Sequence, residues 1–471
     1  MYIKNKVFSC CVFLSLTIAV FSIQAQTTTQ ENPFGLDEIL SSLRSSKIGL
    51  DTTNRILIQK LKNRGVRFSL NEDTEKKLKE TGANDNLILE IKYRISQNYF
   101  DEAKRCKEVD YDCRINFYNK SIGLLPNDYV GYYNRGIVYN DKEEFDRAIQ
   151  DYTKALEIDP KVADAYYNRG VAFRNKEDFA KAVEDFNQYL KLNPNDSEPY
   201  YQRAYTYRMK GDNELALKDY NRAIQLDPKS ALAFNGRGNI YLDKEEYDKA
   251  IADYTKAIAL DSKEYLYYLN RGIALNSKKS YDLALKDFNN AIQLNPNDSE
   301  NYFNRGLAYD DKQDFENAIK DYEKAIKLNP KDSAAFYNRG LIYENRKDYE
   351  QAILEYIGSI TANPKNTDAY YARGGIYLEI EDYEQAMRDY NKVIELEPKN
   401  SGAFVNRGLI YLRTENHQKA IEDFTTAIKL NPAEALAYSN RAFAYEALGE
   451  TAKAEADSKK AAELEKLEKP K

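Results

Sequence analysis

The stretch Tyr132-Tyr133-Asn134-Arg135-Gly136 returns 34 residues later as Tyr166-Tyr167-Asn168-Arg169-Gly170. Stepping on by the same interval reaches Arg203, Arg237, Arg271, Arg305, Arg339, Arg373, Arg407 and Arg441. Ten units therefore fit between Tyr129 and Glu468 without an insertion. Strict self-similarity of this kind marks an array in which each unit buries its apolar face on its neighbours. It also explains a composition of 40 tyrosines with no tryptophan, since every unit reuses the same tyrosine positions.

Within a unit the apolar residues recur at helical spacing. In residues 129–142, Tyr132 and Tyr139 lie seven apart with Gly136 between them on one face, which predicts a first helix. The polar run Asp141-Lys142-Glu143-Glu144 reads as a turn. Ala148, Tyr152 and Ala155 then share one stripe of a second helix, and Pro160 prevents the next turn from continuing it. The small residues let two helices approach closely while the aromatics fill the space beside them. The first aromatic is kept in all ten units, with Phe234, Phe336 and Phe404 for tyrosine, and so is the alanine, from Ala148 to Ala454. Ala204 and Ala442 stand in for the glycine, and Ser262 and Lys466 for the proline. Tyr189, Ser359 and Val393 replace the later alanine, so packing is expected to differ there. In the last unit Ser458 replaces the second-helix aromatic, and the Ala-, Lys- and Glu-rich sequence suits a solvated end.

This order of aromatic, glycine, tyrosine, alanine, aromatic, alanine and proline resembles the tetratricopeptide repeat, over about seven-tenths of the chain. The resemblance implies an all-α fold, a right-handed superhelical solenoid of stacked helical hairpins whose inner face is lined by the first helices. It also implies a scaffold that binds a protein or peptide partner. The arginine departs from the leucine usual in the family. Each unit carries an acid sixteen residues after it, from Asp151 to Asp457, with Glu355 in place of aspartate in the seventh. An unpaired arginine on a packed face is costly and a paired one acceptable, so a ladder of Arg–acid pairs is expected.

Ahead of the array the chain changes character. Lys4 and Lys6 precede an apolar run from Val7 to Ile23, and Ala25 follows, the layout of a secretory signal peptide over residues 1–25. Export to a periplasmic or cell-envelope location, or secretion, is expected from it. Residues 26–35 read as a flexible leader and residues 36–94 as a small helical module. In that module Ile56, Ile58 and Leu61 mark a helix ending at Gly65, a second begins near Asn71, and a third starts at Asn84 or Asp85. Residues 95–128 form a degenerate repeat that keeps Tyr118, Leu124 and Pro126 but carries Glu102 and Arg114 at the glycine and alanine sites. Cys106 and Cys113 flank its turn, where a disulfide is expected in an oxidising compartment. Residues 469–471 are a tail.

Little in the chain suggests chemistry. The single histidine, His417, stands where other units carry Phe145, Phe179 or Tyr247 and reads as a substituted packing position. No CxxC and no histidine pair is present, so no metal or cofactor is expected. Net charge is −6, and −8 once residues 1–25 and their two lysines are removed, which disfavours nucleic acid as a partner.

Binding has the better case. Beside the packed stripe of the first helices run Tyr133, Tyr167, Tyr201, Phe303, Tyr337 and Tyr371, and next to them Asn134, Asn168, Gln202, Asn270, Asn304, Asn338 and Asn406. Amides can hold a ligand's peptide backbone, and tyrosine offers apolar area with a hydrogen-bonding tip. The alternative is that these tyrosines pack between units. Arg174 and Arg208 add local positive charge early in a further row that carries Asp310 and Glu344 later. Two readings follow: a non-catalytic scaffold holding a peptide or partner surface, or a structural component that self-associates. A recruiting subunit for a separate enzyme is the third.

Overall fold

The computed structural model describes residues 32–468, which fall into two compact units, one ending at Lys210 and the other beginning at Gly211. The predicted signal segment 1–25 and the tail 469–471 lie outside the described residues. The first unit holds α1 (Leu36–Arg44), α2 (Leu50–Arg64), α3 (Glu72–Glu80), α4 (Asp85–Arg105), α5 (Tyr111–Leu124), α6 (Tyr129–Asp141), α7 (Phe145–Ile158), α8 (Ala163–Asn175), α9 (Phe179–Leu192) and α10 (Ser197–Lys210). The second holds α11 (Asn213–Leu226), α12 (Ala231–Asp243), α13 (Tyr247–Leu260), α14 (Tyr265–Ser277), α15 (Tyr281–Leu294), α16 (Ser299–Asp311), α17 (Phe315–Leu328) and α18 (Ser333–Asn345). It continues through α19 (Tyr349–Ala362), α20 (Thr367–Glu379), α21 (Tyr383–Leu396), α22 (Ser401–Arg413), α23 (His417–Leu430), α24 (Ala435–Ala447) and α25 (Thr451–Glu468).

The fold is an all-α superhelical repeat. Inside each compact unit a first helix packs on the second helix of its own repeat and on that of the repeat before, as α8 does on α9 and α7. First helices of successive repeats also touch, α12 with α14 and α14 with α16, so one face of the stack is made of first helices alone. The second helices supply the core, where Tyr152, Phe186, Tyr254, Phe288, Tyr322, Tyr356, Tyr390 and Phe424 are all but wholly buried.

Local sequence explains the boundaries. First helices open on Asp128, Ser230, Asp298, Asn366 or Asn400, whose side-chain oxygens accept otherwise unpaired amides of the first turn. The turn inside each repeat places one residue in the left-handed region: Glu143 (φ 60°), Glu177, Glu245, Lys279, Gln313, Lys347, Glu381 and Glu415, with Gly211 and Gly449 at the two remaining sites. There the Glu144 N–H donates to the Tyr139 carbonyl at 2.8 Å and the Glu143 N–H to the Asn140 carbonyl at 3.0 Å, closing the helix end. The repeat glycines serve close approach. A Cβ on Gly136 would stand 2.7 Å from Tyr152 Cε1, and one on Gly272 2.6 Å from Phe288 Cε1. Ala442 meets no such ring, because it shares its groove with Ser458.

Where the later alanine is replaced, the substitute finds a partner or packs. Tyr189 donates to Asp196 at 2.6 Å, and the Ser359 hydroxyl bonds that of Ser333 at 2.9 Å. Val393 is fully buried.

Several expectations ahead of the array need correction. The segment read as a flexible leader ends in an ordered contact: Phe34 is buried, its N–H donates to the Gly65 carbonyl at 3.1 Å, and its carbonyl accepts from Arg67 at 2.9 Å. On α2 Leu61 is buried and Ile58 packs against the module's core as expected, but Leu57, with Thr53 and Asn54, takes the buried place expected of Ile56, which is exposed. An additional helix, α1, contributes Ile39, Leu40 and Leu43 to the module's core. The boundary at 94/95 is not a structural break, since α4 runs through it and pairs with α5 as a repeat-like hairpin. Cys106 caps α4, Cys113 lies in the first turn of α5, and the two are joined as a disulfide.

Candidate functional site on the first-helix face

The repeated arginines are structural. Arg271 donates from Nε and Nη2 to the two Asp287 oxygens at 2.7 and 2.8 Å, and from Nη1 to Thr255 Oγ1 of the preceding repeat at 3.0 Å. The same two-point pairing joins Arg135–Asp151, Arg169–Asp185, Arg237–Asp253, Arg305–Asp321, Arg373–Asp389, Arg407–Asp423 and Arg441–Asp457. Each guanidinium also lies over an aromatic of its own first helix, Arg135 at 5.7 Å from the Tyr132 centroid. Burial pushes the Asp185 and Asp389 carboxyls above the usual carboxylate range, and the partner arginine pulls the other way. One rung departs. Glu355 meets Arg339 through a single contact of 2.8 Å, and Arg339 Nε is left buried without a partner.

The residues singled out for binding lie beside this ladder, half-buried on the first helices. Many of them tie one repeat to the next. Asn168 donates to the Tyr133 hydroxyl at 3.0 Å, Asn406 to the Tyr371 hydroxyl at 3.0 Å, and Asn270 to Asn235 at 2.9 Å. Asn134 and Asn304 instead bond their own helix, at the Val130 and Glu300 carbonyls. The rings of Tyr133, Phe303, Tyr337 and Tyr371 rest on Tyr152, Tyr322, Tyr356 and Tyr390 at centroid distances of 5.6–6.0 Å, and that of Tyr167 on Phe186 and Tyr189. Burial accordingly raises the Tyr133 and Tyr167 hydroxyls above the ordinary tyrosine value. These rings pack on the second helix of their own repeat and stay only half-buried.

Arg174 was read as local positive charge for a ligand. It is already engaged, donating to Gln202 and to Asn175 and lying 5.4 Å over the Tyr205 ring. Gln202 in turn donates to Glu198 at 2.7 Å, and Tyr201 and Arg208 lie half-buried on the same helix, α10. His417 opens α23. Among the described residues no group of three or more His, Cys, Asp or Glu side chains could hold a metal ion, and no helix is long and apolar enough to cross a membrane.

Residues 299–332, 367–400 and 402–433 match the tetratricopeptide repeat family, and residues 321–354 match a second model of the same repeat. This is a tetratricopeptide repeat protein. Two of the matched segments begin at Ser299 and Thr367, where the first helices α16 and α20 begin. Residues 128–305 also match the ETO1 C-terminal domain. Among solved structures, YrrB, described as a TPR protein with an unusual peptide-binding site, is 28% identical over 41% of this chain and 98% of its own, with a TM-score of 0.35. A tetratricopeptide repeat protein from Parabacteroides merdae is 22% identical over 53% and 98%, with a TM-score of 0.39. The hetero-tetramer Cut9–Hcn1 is 16% identical over 86% and 98%, with a TM-score of 0.41. No curated protein matches the chain.

Tetratricopeptide repeat proteins are in general non-catalytic adaptors, and the fold supports a protein–protein interaction scaffold. Two features beside the first-helix face escaped the reading of sequence: the engagement of Arg174 and the irregular Arg339–Glu355 rung. The second had a signal in Glu355, which stands where the other units carry aspartate.

Proposed function

We propose that this tetratricopeptide repeat protein is exported to the cell envelope and there holds an extended peptide, or an extended segment of a partner protein, along its first helices. The observation that carries the reading is the chemistry of two adjacent rows on those helices, one with tyrosine in five of the ten repeats and one with asparagine in seven. Such rows offer apolar surface and amide groups at a regular interval, matching a ligand whose own backbone amides recur regularly. Two observations support export: the apolar segment behind Lys4 and Lys6, and the Cys106–Cys113 disulfide, a bond that persists in oxidising compartments.

The test is affinity capture from envelope extract with the full exported chain and with the variant Tyr133→Ala/Tyr167→Ala/Tyr201→Ala, both checked for equal helicity. Partners held by the first and lost by the second support the reading. Identical partners on both refute it for the N-terminal repeats.

One observation favours a second reading, self-association. The last helix is polar as expected, yet α24 leaves Phe443 and Leu436 each 62% exposed, one helical face apart by seven residues. A mass that rises with concentration in light scattering, and falls back in Phe443→Ser, would support it; a constant monomer mass would remove it.

A further inference from the structure

In nine of the ten repeats the second helix carries a buried ring, from Tyr152 to Phe424. Often a second ring from the first helix rests on it, as Tyr133 does on Tyr152 at 6.0 Å between centroids and Tyr371 on Tyr390 at 5.6 Å. The last repeat has neither. Ser458 stands at the place of Tyr152, and Ser439 at the place of Tyr133.

Two hydroxyls thus replace two rings, yet α24 and α25 pack on each other as the helices of the other repeats do, so the space has not closed by helix approach. The Ala442 methyl, where most repeats have glycine, takes up part of it. What is left is a cavity of about 220 Å³ between the two helices. Ala442, Ala461 and Ala462 give it apolar walls, and Phe443, 62% exposed, stands at its side. Ser439 belongs to the row of Tyr133 and Glu446 to that of Arg174, so the cavity lies on the first-helix face. It is large enough for one aromatic ring, since about 150 Å³ of apolar space holds benzene. Its charge has one sign. Glu446 lines it from α24 and Glu465 from α25, neither makes an ion pair among the described residues, and no lysine or arginine joins them in the lining. Two carboxylates facing one opening favour a cation there and oppose a second copy bearing the same acidic rim.

We propose that this cavity is the subsite for an aromatic side chain, with a lysine or arginine next to it, in a peptide bound along the first helices. It rests on the groove reading above and names two features of the occupant. The ring takes the place that Tyr152 and its counterparts fill from within, packing beside Phe443. The neighbouring cation lies between Glu446 and Glu465, and the Ser439 and Ser458 hydroxyls remain for peptide amides.

The test is titration calorimetry of the full exported chain with three capped peptides of one length, polar but for a central Phe-Lys, Ala-Lys or Phe-Glu. The variant Ala442→Gly/Ser458→Phe fills the cavity from within. It restores the glycine–ring pair of the other repeats and should keep or raise the melting temperature, so that lost binding is not lost fold. The wild type is expected to prefer Phe-Lys over Ala-Lys by about tenfold. It should prefer Phe-Lys over Phe-Glu by about threefold at low salt, a preference that shrinks in Glu446→Gln. In the filled variant Phe-Lys and Ala-Lys bind alike. Equal binding of those two by the wild type, or a ring preference that survives in the filled variant, overturns the subsite. Failure of the wild type to bind any of the three does so too, while the groove reading is judged by the capture experiment, whose three tyrosines lie in other repeats. A light-scattering mass that falls from dimer to monomer in the filled variant gives the cavity to a second copy and overturns the peptide as its occupant.

Discussion

The pairing of a glycine on the first helix with a ring on the second makes a prediction with an internal control. A Cβ on Gly272 would stand 2.6, 2.9 and 3.0 Å from three atoms of the Phe288 ring, and that ring is only 1% exposed, so it has nowhere to go. Gly272→Ala should gain about 1 kcal/mol of helix propensity and lose about 1–3 kcal/mol to overpacking, at the upper end because three atoms clash. The net loss is about 1–2 kcal/mol. Phe288→Ser alone opens a cavity in the core and should cost about 3–5 kcal/mol. Combined, the two changes reproduce the Ala442–Ser458 pairing of the last repeat: the clash disappears, the propensity gain returns and the new methyl fills part of the cavity. The double variant should therefore be about 2–3 kcal/mol more stable than the sum of the singles. Because long repeat arrays do not unfold in one step, the assay is hydrogen exchange of the α14 and α15 amides, with chemical denaturation of the whole chain beside it. Additivity within about 0.5 kcal/mol would refute the claim that ring and glycine are one packing unit.

Further outcomes follow from single sites. Glu355→Asp should restore the two-point pairing of the other rungs and give Arg339 Nε an acceptor, raising stability by about 1 kcal/mol in denaturant titration. Lys347→Val should lower stability by about 1–2 kcal/mol in the same titration, since Lys347 sits at φ 61° and a β-branched side chain strains there. Replacing Cys106 and Cys113 by serine should lower the melting free energy of the N-terminal hairpin by about 2 kcal/mol, seen as faster exchange in α4 and α5. The Asp310 carboxyl is raised in the fold to about 6, so it favours the folded state when protonated and loses that contribution as pH rises through about 6. Asp310→Asn should accordingly raise the melting temperature at pH 8 and leave it nearly unchanged below about pH 3, where both states hold the proton.

Period and patterning were enough for the repeats, because each unit states its helices ten times over. The Arg–acid ladder was also legible: a charge recurring on a packed face needs a partner, and only the acid sixteen residues on recurs with it. The left-handed turn residue was not. At that site glycine appears only as Gly211 and Gly449, while Glu143, Lys279 and their counterparts look like ordinary turn polarity. Ahead of the array there is no second copy to compare. On α2 one residue of the stripe was misread, since Ile56 and Leu57 are both apolar and only tertiary packing chooses Leu57. The break at 94/95 failed for the related reason that α4 serves two neighbours, the module's core through Ile91 and the first hairpin through Phe100. On the first-helix face, residue types showed which side chains line it. They did not show that Arg174 is spent on Gln202, because that contact joins residues 28 apart whose reach depends on how two helices meet.

A repeat array carries its own comparison, and that bears on where partners are to be sought. Positions that agree in all units, such as the alanine from Ala148 to Ala454, are held by the packing of one helix on the next, and nothing about a ligand can be read from them. Departures that the packing absorbs, such as Ala442 with Ser458, are compensated within reach of the changed atom. What remains are departures with no compensation nearby. The buried hydroxyls of Tyr152 and Tyr322 have no hydrogen-bond partner, where those of Tyr254, Tyr356 and Tyr390 have one. In α19, Ile357 takes the place of the Thr or Asn that receives the third arginine contact elsewhere, and it is 40% exposed beside Leu354. Partners are to be sought first at such departures, where the residue type is not dictated by the packing of one helix on the next.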